Sequence, residues 1–383
     1  MDTISVLVDK YKGNPYMCDK LATYIANLPS LMTSIEENYI QRNIQLVDLT
    51  DKKDKYVQQF ITQHLIFYIP QTELFIEYAD TNYSIISEDD IIHYVLTDLN
   101  DNELKIWKFK IKKHIIKRIK EMVFSSSIPE PTTIKDVIQN LTMFDSKHHV
   151  KYFLTILGDA LLNKKDTITY FIDSSYKLFL RKMIEQIYVF TNKSISDVFK
   201  YKYYDHKYDQ CRILTGKCPE MVPLKHKILN IISVATYLSN KYGNAEGFLS
   251  QCNDPVFISA TTFLKVNTQE TIVNIFIDEC MKKTGTTSYK EFYFLWRSYL
   301  KQKNLPLIIS DIHLKNILIQ LNLCKDDVVF LTSTQVFIQT IKVFLDKNNM
   351  LDVSEIVCSY NNEHEFKITE EMVINIMNYL IDP

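Results

Sequence analysis

Residues 65–121 read LIFYIPQTELFIEYADTNYSIISEDDIIHYVLTDLNDNELKIWKFKIKKHIIKRIKE, and the hydrophobic period changes inside them. Leu65–Ile69, Leu74–Tyr78 and Tyr83–Ile86 are short β-branched and aromatic runs separated by turn residues, which predicts a small meander. At Ser87 the pattern turns helical. The Ser87 hydroxyl can accept from the free N–H groups of a helix start, and Glu88, Asp89 and Asp90 suit the positive end of the helix. A helix is expected to about Leu99, and a longer one from about Asn102 to Met122. In that second helix Leu104, Trp107, Ile111, Ile115, Ile119 and Met122 recur at three- and four-residue spacing, the signature of one buried face.

Outward from this stretch, helices dominate. Residues 15–46 suit two helices broken near Pro29, and 54–64 a third. Ser125-Ser-Ser-Ile-Pro-Glu-Pro131 reads as a linker. Helices fit 132–143, 147–162, 173–190, 224–241 and 244–251, whereas 194–214 alternates as strands do and Asn253-Asp-Pro255 marks a turn. The last third suits helices at 270–282, 288–303, 311–322, 332–346 and 368–381, with short extended pieces at 327–331 and 353–359. Two helices joined through Pro306 and followed by a strand are compatible with a winged-helix module. The expected class is α+β, predominantly α-helical, in three modules: 1–125, 126–255 and a winged-helix-like 256–383 with an acidic tail. From Asp346 to Pro383 that tail holds eight acids and two lysines.

Composition narrows the function classes. Hydrophobic residues make up 46% of the 383 and charged residues 23%, as in globular proteins, and the net charge of −2 supplies no global field for a polyanion. Any basic site must be local. With 6 glycines the chain has neither a G-x-G-x-x-G nor a G-x-x-x-x-G-K-S/T loop, so close backbone cradling of nucleotide phosphates is not expected. Seven cysteines, at 18, 211, 218, 252, 280, 324 and 358, are odd in number and scattered, which argues for reduced thiols. No apolar run reaches a membrane span of about 18 residues, and residues 1–14 lack an apolar signal core. No membrane partner and no cofactor is expected.

The strongest local signal is cationic. Lys105, Lys108, Lys110, Lys112, Lys113, Lys117, Arg118 and Lys120 crowd one stretch, with no acid between Glu103 and Glu121. Like charges at helical spacing repel, so a surface that keeps them is a candidate for phosphate contacts; a merely solvated or internally paired face is the plainer alternative. A second signal is Phe199-Lys-Tyr-Lys-Tyr-Tyr-Asp-His-Lys-Tyr208. If extended, Lys200 and Lys202 lie on one side and Phe199, Tyr201 and Tyr203 on the other. Tyr201 and Tyr203, with Trp107, are candidates for base stacking; inward-packed aromatics are the plainer alternative.

Weaker signals remain. His206, Cys211, Cys218 and His226 do not have the paired spacings of structural zinc sites, and no metal site is expected. His148-His149 is read as solvent-exposed. Arg297, Lys301, Lys303 and Lys315 of the winged-helix segment are further candidates for phosphates. No nucleophile with a base and oxyanion donors is legible, so no enzyme is expected.

The runs Ser87–Leu96, Trp107-Lys108, Ile116–Glu121, Lys151–Lys164 and Tyr201–Arg212, and Leu295–Leu300 followed by Leu305-Pro306, resemble uncharacterised conserved proteins of mimivirus-like nucleocytoplasmic giant DNA viruses. The resemblance spans residues 65–322. It implies a host-cytoplasmic viral factory and carries no catalytic residues. The expectation is a non-enzymatic, nucleic-acid-associated adapter of viral gene expression, in translation or transcription. Its partners would be RNA or single-stranded nucleic acid and other viral proteins. The alternative is a protein-interaction scaffold, or an accessory subunit of a viral primase–helicase or virion complex, without nucleic-acid contact.

Overall fold

The switch of period at Ser87 is where strand gives way to helix in the computed structural model of this protein. It describes residues 2–144, 146–164, 167–203, 207–216, 227–283, 285–303, 305–334, 344, 352–363, 368–370 and 373–374. Two units divide the chain: Met1–Asp80 with Ser84–Phe124, and Thr81–Tyr83 with Ser125–Pro383. The described residues are mostly helical with small sheets, an α+β arrangement.

The first unit opens with α1 (Asp2–Tyr11) and α2 (Pro15–Gln63). Strands β1 (Ile66–Ile69), β2 (Leu74–Ala79) and β3 (Asn82–Ile86) form the expected meander. β1 and β2 are antiparallel, with Phe67 opposite Ile76. Ser87 caps α3 (Glu88–Asp98) in a reciprocal box: its Oγ accepts from the Asp90 N–H, and the Asp90 carboxylate accepts from the Ser87 N–H.

Two expectations are corrected here. Pro29 does not end a helix; α2 runs through it for 49 residues, about 74 Å at 1.5 Å per residue. Pro29 leaves the Ile25 carbonyl without its helical donor, but that turn is exposed to water. The 102–122 helix is also two pieces, α4 (Asn102–Lys105) and α5 (Lys108–Glu121). The Trp107 N–H bonds the Leu104 carbonyl, a three-residue closure at 2.8 Å that interrupts the four-residue ladder. Leu104, Ile111, Ile115 and Ile119 still share one core with Phe60, Ile66, Phe75, Ile91 and Val95.

The second unit is built on two helices buried nearly all round, α7 (Lys147–Leu161) and α9 (Ile228–Tyr242). α6 (Pro131–Asn140) precedes them and α8 (Lys177–Thr191) lies between them in sequence. A Cβ built on Gly158 would stand 2.0 Å from the Ala235 carbonyl oxygen, so α7 and α9 touch backbone to backbone there. The next residue, Asp159, is buried and accepts from Ser239 Oγ on α9 and from the Ala245 N–H (2.7 Å), the first residue of α10 (Ala245–Gln251). Lys164 Nζ donates to the Ser239 and Gly243 carbonyls, closing the end of α9.

A parallel sheet in the order β5-β4-β6 flanks these helices: β4 (Thr169–Ile172), β5 (Phe199–Lys200) and β6 (Cys211–Leu214). The central strand β4 was not expected from the sequence. Its four residues are too few to show a period, and Tyr170, Phe171 and Ile172 are all buried, so they do not alternate. Arg212 of β6 is buried and forks onto Glu246 of α10, through Nε (3.0 Å) and the second guanidinium nitrogen (2.6 Å).

Asp254 caps α11 (Pro255–Thr261), which α12 (Phe263–Val266) follows. α13 (Gln269–Cys280) and β7 (Met281–Lys282) lead into β8 (Thr287–Ser288), α14 (Tyr289–Gln302), α15 (Asp311–Gln320), β9 (Cys324–Lys325), β10 (Val328–Val329) and β11 (Thr332–Ser333). The antiparallel sheet β8-β10-β9 joins the strand before α14 to the hairpin after α15. That is the topology of a winged helix. The wing is a tight turn, with Asp326 and Asp327 both left-handed. Its core (Phe276, Phe292, Trp296, Leu314) is continuous with Phe171, Tyr203 and Ile213, so side chains on both sides of the expected division at 255 pack together. Residues 353–359 are helical, within α16 (Val353–Glu363), where an extended piece was expected. Four residues of that helix's repeat, Ile356 and Tyr360 among them, are enough to bury a face against Phe344. Most of the expected 332–346 and 368–381 helices and of the acidic tail lies outside the described residues; Thr332–Ser333 is a strand.

Replacing Gly158 with Ala is expected to destabilise the protein by at least about 3 kcal/mol, because the clash is with backbone. Gly13→Ala, where nothing lies within 4 Å of the new Cβ, is expected to be neutral. Denaturant unfolding of both variants measures the difference.

Candidate nucleic-acid interface

The amphipathic repeat of α5 forces its charge outward. With Ile111, Ile115, Ile116 and Ile119 in the core, Lys108, Lys110, Lys113, Lys117, Arg118 and Lys120 are exposed, Lys112 is half-buried, and Lys105 is exposed on α4. Lys110, Lys113 and Lys117 follow one another at three and four residues, so neighbouring stems are roughly 5–6 Å apart at Cβ.

Carboxylates meet few of these cations. Lys112 lies 3.6 Å from Glu88, Arg118 3.0 Å from Glu121, and Lys105 donates to the Asn102 side-chain carbonyl at 3.1 Å. Glu103 is held by Lys52 of α2 at 2.7 Å, and hydrogen bonds to Asp48 and Glu103 raise the Lys52 pKa. Among the described residues, no carboxylate pairs with Lys108, Lys110, Lys113 or Lys117. Aromatic faces support some ammonium groups instead: Lys110 over Trp107 (4.4 Å), Lys108 over Phe109 (5.2 Å) and Lys120 over Tyr68 (5.4 Å). A ring orients a cation without neutralising it, so the positive potential is kept.

This arrangement changes which aromatic is available to a ligand. Trp107 and Phe109 each have a lysine over one ring face, but Trp107 is half-buried. Phe109, not singled out from the sequence, is 76% exposed and starts the row Phe109, Lys113, Lys117 at four-residue spacing. Ile106 beside it is 80% exposed. Both sit off the repeat that fills the core, a signal present in the sequence.

The aromatic strand corrects its expectation. Phe199 and Tyr203 are buried; Phe199 stacks on Phe153 (5.3 Å), and Tyr203 packs between Phe171 and Tyr208. Tyr203 is closed to a base because its ring belongs to the core and its N–H bonds the Leu307 carbonyl. Tyr201 is half-buried, and burial raises its phenol pKa. Lys200 lies 3.9 Å from Asp197, and Lys202 is exposed. Tyr204 lies outside the described residues.

On the winged helix, carboxylates meet two of the four candidate cations. Lys303 pairs with Glu279 (2.9 Å) and Lys315 with Asp327, while Arg297 and Lys301 are exposed on α14. The outer face of α15 carries Asp311, Ile312, Asn316 and Ile319, beside the two wing aspartates. His149 is buried rather than exposed: its Nδ1 meets Ser146 Oγ and its Nε2 meets Thr215 Oγ1, each at 2.9 Å. His148 is half-buried, with Nδ1 3.4 Å from Cys252 Sγ. Of the histidines and cysteines weighed for zinc, Cys211 is buried and its thiol is pushed up to about 11 by desolvation; His206, Cys218 and His226 lie outside the described residues. Among the described residues no three His, Cys, Asp or Glu side chains converge to hold a metal ion, and no helix is long and apolar enough to cross a membrane. Comparison of the chain with protein-family models, curated proteins and solved structures finds no match.

Tyr203→Ala is expected to cost about 3 kcal/mol of unfolding free energy, as core aromatics do, and Phe109→Ala less than about 0.5 kcal/mol, as surface changes do. Parallel denaturant titrations separate the core ring from the surface ring.

Proposed function

We propose that this protein is a non-enzymatic, RNA-facing adapter whose α4–α5 surface holds a nucleic-acid backbone. The observation that carries the reading is the exposed row Lys110, Lys113 and Lys117, with Lys108, free of carboxylate partners among the described residues. Lys105, Lys112, Arg118 and Lys120 extend the same surface. The pairs Lys112–Glu88 and Arg118–Glu121 are surface ion pairs of little strength, which a phosphate can replace. Phe109 offers a π-face to one unstacked base, a contact that favours single strands over duplex. On the resemblance noted above, the setting is viral gene expression in the host cytoplasm.

A scaffold role is supported by a different surface. The acidic wing and the exposed Ile312 and Ile319 of α15 suit a protein partner better than phosphates. The two readings separate on nuclease treatment: partners retained through RNA are lost, and partners held by α15 remain.

Fluorescence anisotropy with a single-stranded RNA tests the main reading. The triple variant Lys110→Glu, Lys113→Glu, Lys117→Glu is expected to abolish binding at moderate salt. Removing Lys113 and Lys117 singly should each flatten the slope of log affinity against log salt by about 0.7. Unchanged affinity and slope would refute the assignment.

A further inference from the structure

α2 carries an apolar stripe that nothing in its own unit covers. Leu21, Ile25, Leu28, Met32, Ile35 and Tyr39 follow one another at alternating steps of four and three residues. Continued through Arg42, Leu46, Leu49 and Lys53, the same steps reach Tyr56 and Phe60, which pack on the core of the first unit. The stripe is therefore a packing face that is occupied at one end and bare along the rest. Every residue from 22 to 48 is exposed; Leu28 is 46%, Met32 57% and Ile35 58% accessible. No Asp, Glu, Lys or Arg occurs from 21 to 35.

A helix in this state lacks its usual support. Helical segments in proteins owe most of their stability to packing, and an interior proline costs roughly 3 kcal/mol. Apolar patches beyond a few hundred Å² mark association surfaces. A seven-residue repeat of this kind is the seam of a two-stranded coiled coil.

We infer that α2 associates with α2 of a second copy of this chain. Three observations select that occupant. The stripe is uncharged over 21–35, so it offers no complementarity to a nucleic acid or to a strongly charged partner. With Tyr24 and Leu31 on its flank, it presents on the order of 800 Å², one partner's share of a stable interface. It is also self-complementary. An antiparallel overlap of residues 21–39 stacks Leu28 on Met32 of the other copy, Ile25 on Ile35 and Leu21 on Tyr39, all apolar layers. A parallel pairing in register would instead set Arg42 against Arg42 in the seam, a like-charge contact in a desolvated position.

Sedimentation equilibrium of the full chain tests this. At micromolar concentration the protein is expected at twice its 45.1 kDa mass. The double variant Leu28→Glu, Met32→Glu should sediment as monomer with the thermal midpoint of the two cores retained, since neither side chain belongs to a core. Glu37→Lys, on the opposite face of α2, should remain a dimer. A wild-type protein that is monomeric throughout overturns the inference, and so does a double variant that stays dimeric, which would put the association elsewhere.

Discussion

The second unit depends on the approach of α7 to α9 at Gly158. Without a side chain there, the α7 backbone reaches the Ala235 carbonyl, and the helices bury one another along their lengths. That closeness brings the carboxylate of Asp159 within reach of Ser239 and of the first N–H of α10. A buried carboxylate is tolerable only when donors surround it, so one glycine and one aspartate set both the spacing of the central helices and the start of the next. Arg212 and Glu246 make a second tie on α10, from the sheet side. The strand β4 then has helices to lie against, and its continuous apolar run becomes intelligible as the centre of a parallel sheet.

In the first unit the governing constraint is the apolar face of α5. Four isoleucines turned inward leave the lysines no direction but outward. Among the described residues carboxylates meet only Lys112 and Arg118 of the α5 lysines and arginine, and aromatic rings orient Lys108, Lys110 and Lys120 while leaving their charge intact. The winged helix shows the contrary arrangement. There Lys303 and Lys315 are engaged by carboxylates, Arg297 and Lys301 are exposed, and the wing turn carries Asp326 and Asp327. Two surfaces of opposite character therefore occur in one chain of nearly zero net charge, and neither is visible in the total.

Much of this was legible in residues 65–121, because local rules suffice there: a meander of β-rich runs, a serine cap with acids after it, and a helical repeat of isoleucines. The winged helix was legible as two helices and a strand. The closing of its sheet was not, since β8 and β10 are two residues each and far apart in sequence. Pro29 misled because a proline usually ends a helix, and nothing in the neighbouring residues says that the helix resumes its register on the far side. Among site residues the lysines were correctly directed outward by periodicity, whereas Tyr203 was misjudged: alternation in a short strand says which residues share a face, not which face is buried.

By itself the sequence determined the periods, and with them which helical residues are apolar inward and which cations face water. It also determined the absence of phosphate-cradling glycine loops and the uncharged heptad stripe of α2. The tertiary structure alone decided which partners those residues meet: that Gly158 is a contact rather than a flexible joint, that Tyr203 is core while Phe109 is surface, and that Lys315 is paired while, among the described residues, Lys113 is not. The reason is that period is a property of neighbours along the chain, whereas burial and packing are set by residues distant in sequence, Ala235 for Gly158 and Leu307 for Tyr203 among them, whose approach no local pattern encodes.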